Sequence, residues 1–312
     1  MDPRHLLQLP AILEKGSIPQ ASRHLHLTQP TLTHNMQILE MQAGGLLFER
    51  SRFGVRSTPL GEMLAREGRA IARRLQDASE VSARHRSGLT RQLRLGTGPL
   101  VGAALVPSLT QVLLARYPGV ALTVHSDRPH LLVEQLIDGR HDLVIGPSWL
   151  ERPPEGIERF LLVKDDLGVF CGASHPLARR GRLGPGDADG QAWISLGTAS
   201  PFDQDVREML TAAGVGSTRT EVSVLGEAFL LLRVLAAGAH LAVLPHFPMR
   251  LLEAHFPIKE LRLPVQARPR NIYLWCRAPL LSDPGFVTIK DAVLAHAASL
   301  CGGGGGSPPS RG

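Results

Sequence analysis

Residues 17–30 constrain this chain more than any other stretch. Ser17-Ile-Pro-Gln20 has the spacing of a capping box, with the serine placed before a proline-bearing first turn. Thr28-Gln-Pro30 repeats the signal, with threonine as cap and proline in the first turn. Ala21, Leu25 and Leu27 fit the buried side of the first helix. Leu32, Met36 and Leu39 recur at helical spacing in the second, until Gly44-Gly45 stops it. A very short turn at His26–Thr28 therefore joins two helices. Another helix precedes them: Asp2 caps it, Pro3 opens it, Leu6, Leu9, Ile12 and Leu13 form its apolar face, and Gly16 ends it. Pro10 inside that helix lacks a backbone donor and is expected to kink it, at a cost of ~3 kcal/mol if unrelieved.

A second helix entered through so tight a turn is the helix-turn-helix arrangement, which presents the helix's exposed N-terminal residues to a DNA groove. Its polar positions are Gln29, Thr31, Thr33, His34 and Gln37. Gln29 suits a bidentate contact to adenine, and threonine offers a methyl to thymine and a hydroxyl to phosphate. The helix starts at Ser17 and at Thr28–Pro30 can hold phosphate on their free amides. Next, Leu47, Phe48, a turn at Gly54 and Val55 read as a small β-hairpin, or wing, carrying Arg50, Arg52 and Arg56. These arginines suit phosphates or a narrow minor groove. Glu49 offers the competing reading of an ordinary surface ion pair. Pro59 then opens a helical stretch to about Arg86. Its stripe of Leu60, Leu64, Ile71, Leu75 and Ala78 is expected to meet another chain, because one small wing domain is too little to cover it.

Composition narrows the rest. At 312 residues, 43% hydrophobic and 20% charged, the chain is an ordinary globular protein of two or three domains, which excludes disorder, collagen and coiled-coil rods. The formal charge is +6. Residues 1–90 carry 12 basic and 8 acidic side chains, so most of the surplus lies in the part with the helix-turn-helix. Three cysteines, Cys171, Cys276 and Cys301, are too few and too scattered for a disulfide framework or zinc knuckle. The N-terminus lacks a signal pattern, and no uninterrupted apolar run reaches the ~18 residues of a membrane span. A cytoplasmic protein without membrane partner, metal or cofactor is expected.

From Leu93 the texture changes to strand, loop and helix in alternation, which argues an α/β domain with a largely parallel sheet. Gly96-Thr97-Gly98-Pro99 turns from a strand into a helix whose free amides can hold a carboxylate. Leu196-Gly-Thr198-Ala-Ser200-Pro201 repeats that logic before a helix at Phe202–Gly214. Plain capping by Ser and Thr explains the same residues. Gly146 with Pro147, and Ser126, are weaker candidates at strand ends. Enzymatic signals are poor. Gly96-Thr-Gly98 lacks the third glycine of a dinucleotide loop. No G-x-S-x-G elbow accompanies Ser174-His175. Asp165 and Asp166, read as neighbours on a strand, would point to opposite faces. No catalytic residues are expected.

Together these residues identify the chain as similar to the LysR-type bacterial transcriptional regulators. The resemblance rests on Gly16-Ser-Ile-Pro-Gln-Ala21, Leu25-His-Leu-Thr-Gln-Pro30, Leu39-Glu40, Leu47-Phe48-Glu-Arg50, Arg52-Phe-Gly-Val-Arg56 and Thr58-Pro-Leu-Gly61. It resumes at Ser174-His-Pro-Leu-Ala178, Ala192-Trp-Ile194, Leu235-Ala-Ala-Gly238 and Val243-Leu-Pro245. It implies an N-terminal winged helix-turn-helix (1–58), a linker helix that pairs chains (59–90) and a C-terminal α/β two-lobed effector domain (91–300) resembling periplasmic binding proteins. The chain would cross between lobes near Val163 and Gln266, giving lobes of 91–163 plus 267–300 and of 164–266, with a flexible tail at 301–312. The implied partners are double-stranded DNA, a small-molecule effector of anionic character and further copies of the chain, as dimers that form tetramers. The implied effector residues are Thr97, Gly98, Ser126, Gly146, Thr198 and Ser200. His34 departs from the family, which commonly has arginine or another long donor there. A solute-binding or enzymatic α/β protein with a helical N-terminus that binds no DNA is the alternative.

Overall fold

The computed structural model describes residues 1–51, 54–87, 91–148, 150–184, 186–196, 201–216, 218–264 and 269–302. It divides into two compact units, the first made mainly of residues 1–90.

In the first unit, local hydrogen bonds place every helix start. Asp2 accepts from the Arg4 amide at 2.8 Å and caps α1 (Pro3–Lys15), which Gly16 ends in the left-handed region at φ 66°. Ser17 accepts from the Gln20 amide at 3.3 Å and caps α2 (Ile18–His24). The turn that follows needs His26 at φ 54°, the one positive-φ residue other than glycine among the described residues. Thr28 then caps α3 (Gln29–Ala43). Strands β1 (Phe48–Ser51) and β2 (Gly54–Ser57) pair antiparallel, with Glu49 opposite Arg56 and Arg50 opposite Val55. The hairpin is tied to α1 through the Val55 amide, which donates to the Gly16 carbonyl at 2.8 Å.

Helix α4 (Pro59–Ser87) has the expected extent, but its stripe behaves differently from the expectation. Ala65 is fully buried, and Leu60, Leu64 and Ile71 pack partly buried on the core formed by Leu9, Ile12, Leu32, Met36 and Leu39. The first half of α4 thus covers its apolar face within its own chain, because glycines let it approach closely. A Cβ on Gly61 would stand 1.8 Å from the Leu47 oxygen, and one on Gly68 would stand 2.4 Å from the Leu6 oxygen. Leu75 remains 57% exposed in the second half. Helix α1 runs unbroken through Pro10.

The second unit holds two five-stranded sheets. The first lobe runs β3 (Arg91–Thr97), α5 (Pro99–Arg116), β4 (Val120–Ser126), α6 (Pro129–Ile137), β5 (Leu143–Pro147) and β6 (Ile157–Val163). After a crossing at 164–166, the second runs β7 (Leu167–Gly172), β8 (Ala192–Ser195), α7 (Pro201–Ala212), β9 (Arg219–Ser223), α8 (Ala228–Ala236), β10 (Leu241–Pro245), α9 (His246–Leu252) and β11 (Ile258–Leu261). The chain then returns to the first lobe as β12 (Ile272–Arg277) and α10 (Pro284–Gly302). Cys301 and Gly302 therefore end a helix rather than begin a tail, and residues 303–312 lie outside the described ones.

Strand orders are β4-β3-β5-β12-β6 and β9-β8-β10-β7-β11, the same plan twice. Each sheet runs four strands in one direction, in keeping with the largely parallel expectation, and adds one reversed strand. β12 runs antiparallel to both neighbours in one sheet, and β7 does so in the other. The reason is topological. Each of these strands enters its lobe from a crossing, at the end where the βαβ strands finish: Leu167 pairs with Pro245, and Ile272 with Pro147. Helix α5 is long and apolar enough to cross a membrane by length and composition, yet Leu105, Leu109 and Leu113 are buried in the first lobe's core.

Candidate functional site

Two regions gather chemically useful groups, one in each unit. In the first, Leu32, Met36 and Leu39 turn inward and so fix the opposite face of α3. Thr28, Gln29, Pro30, Thr31, His34 and Gln37 are exposed on it, while Thr33 and Ser17 are half-buried. Thr28 and Thr31 bond each other through their hydroxyls at 2.7 Å, which steadies the first turn. Asn35 faces inward, donating to Gln8 Oε1 at 3.0 Å, and is structural. On the wing, Arg56 is exposed on β2. Arg50 lies on β1, but its side chain, like all of Arg52, lies outside the described residues.

The second region is a cleft of about 130 Å³ between the lobes. Three helix starts line it: Gly98–Val101 of α5, Arg128–His130 at α6, and Gly226–Ala228 at α8. No side chain caps α5 or α8, so their first amides are left to favour an anion. Arg128 and Arg270 add positive charge and Glu227 negative. Leu100, Leu196, Phe202, Val224 and Leu231 make most of the wall apolar.

Of the sequence candidates, Gly98 lines this cleft. Thr97 does not: it is buried at 1% exposure, donates to the Gly98 carbonyl and packs its methyl toward Gly102, because strand alternation turns it beneath α5. Gly146 is also turned away, its carbonyl accepting from the Trp275 indole at 3.3 Å, and Pro147 lines the cleft instead. Ser126 ends β4 short of the cleft, and the chain needs two more residues to reach it at Arg128. Thr198 and Ser200 lie outside the described residues. Arg128, Arg270 and the start of α8 were missed. Neither arginine carries a local signal, and α8's start lacks the Ser, Thr, Asp or Asn that marks a cap.

Behind the cleft the two crossings meet. The Arg270 amide donates to the Asp165 carbonyl at 2.6 Å. Asp165 is not on a strand but in the crossing, where its Oδ1 accepts from the amides of Phe247 (2.8 Å) and Asp166 (2.9 Å). Burial pushes its pKa up to about 6, more than those bonds pull it down. His246 lies between Asp166 (Nδ1 to Oδ1, 2.5 Å) and Glu260 (Nε2 to Oε1, 3.1 Å). Burial opposes its protonation, but those two carboxylates outweigh it and raise its pKa. No group of three or more His, Cys, Asp or Glu side chains among the described residues is placed to hold a metal.

The chain thus joins a winged helix-turn-helix, a long helix and a two-lobed α/β domain with a cleft between its lobes. The chain belongs to the LysR family. Residues 3–62 match the bacterial regulatory helix-turn-helix protein, lysR family, and residues 86–298 match the LysR substrate binding domain. It is 32% identical over 211 residues to the transcriptional activator protein LysR of Escherichia coli (strain K12), covering 67% of this chain and 66% of that protein. It is 26% identical over 196 residues to the hydrogen peroxide-inducible genes activator of Dickeya chrysanthemi, covering 63% and 64%. The chain thus spans just under two thirds of these curated relatives. The crystal structure of CbnR, a LysR family transcriptional regulator, has the same fold, with TM-score 0.63 at 21% identity over 95% of this chain and 99% of that one.

Proposed function

We propose that the protein is a cytoplasmic DNA-binding transcriptional regulator, not an enzyme, whose activity is set by a small anionic effector held between the two lobes. The observation that carries this reading is the presence, in one chain, of an exposed α3 start and a wing with exposed Arg56, together with a cleft lined by uncapped helix starts and arginines. In this reading residues 1–58 read DNA, α4 pairs chains through its second half, where Leu75 is exposed, and residues 91–300 receive the effector. Dimers assemble into tetramers. Gln29, Thr31, Thr33 and His34 face the major groove, the starts at Ser17 and Thr28–Pro30 hold phosphate, and Arg50, Arg52 and Arg56 meet the backbone or minor groove. The effector shifts the arrangement of half-sites only by its differential affinity for two states.

A footprint on the protein's own promoter tests this. The parent protects two spaced half-sites, and a Gln29→Ala, Arg50→Ala double variant loses that protection. Equal protection by the variant sinks the docking.

A further inference from the structure

We infer that Arg270 is the residue that recognises the effector's charged group, that this group is a carboxylate on a small apolar molecule, and that the same guanidinium transmits occupancy of the cleft to the second lobe. The inference rests on the reading of the cleft as the effector site.

Arg270 stands on the second crossing, two residues before β12, with its backbone bonded to Asp165 on the first. Its Nη1 donates to Asp205 Oδ2 at 2.6 Å, and its Cζ lies 4.6 Å from the centre of the Phe202 ring. Both partners lie in the first half of α7, in the second lobe. One residue therefore bonds the other crossing through its backbone, holds the second lobe through its side chain and lines the cleft. Only 10% of it is exposed. A guanidinium carries five N–H donors in a rigid fork, and the Asp205 bond uses one. The others meet no hydrogen-bond partner among the described residues. Burial pulls the arginine's pKa down, although Asp205 and Asp165 partly restore it. A mostly buried, part-used fork on the cleft wall calls for a second oxyanion, and a carboxylate fits it bidentately.

The walls fix the rest of the ligand. A dry cavity of about 150 Å³ takes a benzene ring, so this cleft of about 130 Å³ takes roughly one ring or a short branched chain. A whole nucleotide would have to protrude from it. Bound in this way, the carboxylate and Asp205 grip one guanidinium from two sides. The ligand is thereby tied through Arg270 to α7 and to the crossing, which supplies the differential contact that a conformational response needs.

Thermal shift and calorimetry on the full chain test the assignment, using benzoate and hexanoate, their neutral amides, and inorganic phosphate. At least one carboxylate should raise the melting temperature at roughly 10 mM, where even a millimolar ligand is largely bound. Its amide and phosphate should not. Arg270→Gln should weaken carboxylate binding about 10- to 100-fold. Removing one partner of a buried ion pair also harms folding, so the Asp205→Asn, Arg270→Gln double variant carries the same comparison with both charges gone. Asp205→Asn alone should tighten binding. Unchanged carboxylate binding in both Arg270 variants overturns the role of Arg270. Amides binding as well as acids, phosphate alone binding, or no carboxylate binding overturns the ligand class. A Leu196→Trp variant, which fills the cleft from a half-exposed wall position, separates the two failures. Binding lost there but kept without Arg270 leaves the cleft as the site and discards only this inference. Binding kept in both discards the cleft as well.

Discussion

Gly68 of α4 lies against the backbone of α1 at Leu6, so close that a Cβ there would stand 2.4 Å from the Leu6 oxygen and 3.2 Å from Pro10 Cγ. That oxygen is the one whose helical donor would be the amide of residue 10, which proline lacks. The missing bond in α1 and the missing side chain in α4 thus meet at one point. Gly68→Ala should force the two helices apart and cost about 1–3 kcal/mol. Urea denaturation of the parent and variant measures it. A neutral result means that α4 does not seat on α1 this closely.

The two parts of the proposed DNA surface should fail differently. Arg56, exposed on the wing, is suited to phosphate, so Arg56→Ala should weaken every DNA alike and lower the salt slope by about 1. Gln29, exposed at the start of α3, is suited to a base edge. Gln29→Ala should cost about 1–3 kcal/mol on the operator and little on scrambled DNA. Anisotropy across a salt series separates them. Equal operator-specific losses from both variants would contradict the division of labour.

The cysteines predict their own chemistry. Cys171 on β7 and Cys276 on β12 are buried, and burial pushes both thiols up to about 11. Cys301, near the end of α10, is exposed. Ellman's reagent should titrate one thiol in the native protein and all three after denaturation, and Cys301→Ser should abolish the native signal. A second fast native thiol would show that β7 or β12 opens.

What was legible in the sequence was local. Asp2, Ser17 and Thr28 bond amides two or three residues away, and Gly16 and Gly44 end helices through their own backbone angles, so the helix-turn-helix could be read from neighbours alone. β12 hid for the opposite reason. Ile272, Leu274, Trp275 and Cys276 are all buried, which erases the alternation that marks a strand. Its antiparallel direction depends on a crossing that no local signal records. The cleft was half legible. The turn after β3 singled out Gly98, which lines the cleft, together with Thr97, which is buried beneath α5, since one residue's shift along a strand exchanges its faces. Arg270 reaches α7 only through the tertiary fold, because nearly seventy positions separate it from Phe202 and Asp205.

The hinge carboxylate gives the protein a pH dependence with a definite sign. Asp165 Oδ2 is buried without a hydrogen bond, while Asp166, His246 and Arg270 are the charged groups around the carboxyl. Its folded pKa, about 6, lies above the ordinary 3.8. The folded chain therefore holds the extra proton between those values, and stability falls as pH rises through them. His246 acts in the same sense: its pKa is raised above 6.5, so its contribution is complete below that value and is lost as pH climbs through the folded one. Asp165→Asn keeps an acceptor for the Phe247 amide and removes the charge. At about pH 7.5 it should stabilise the protein by roughly 1–3 kcal/mol, and at about pH 4 the gain should vanish. Urea denaturation at both pH values decides this, and an equal gain at both would show that Asp165 does not titrate as its burial demands.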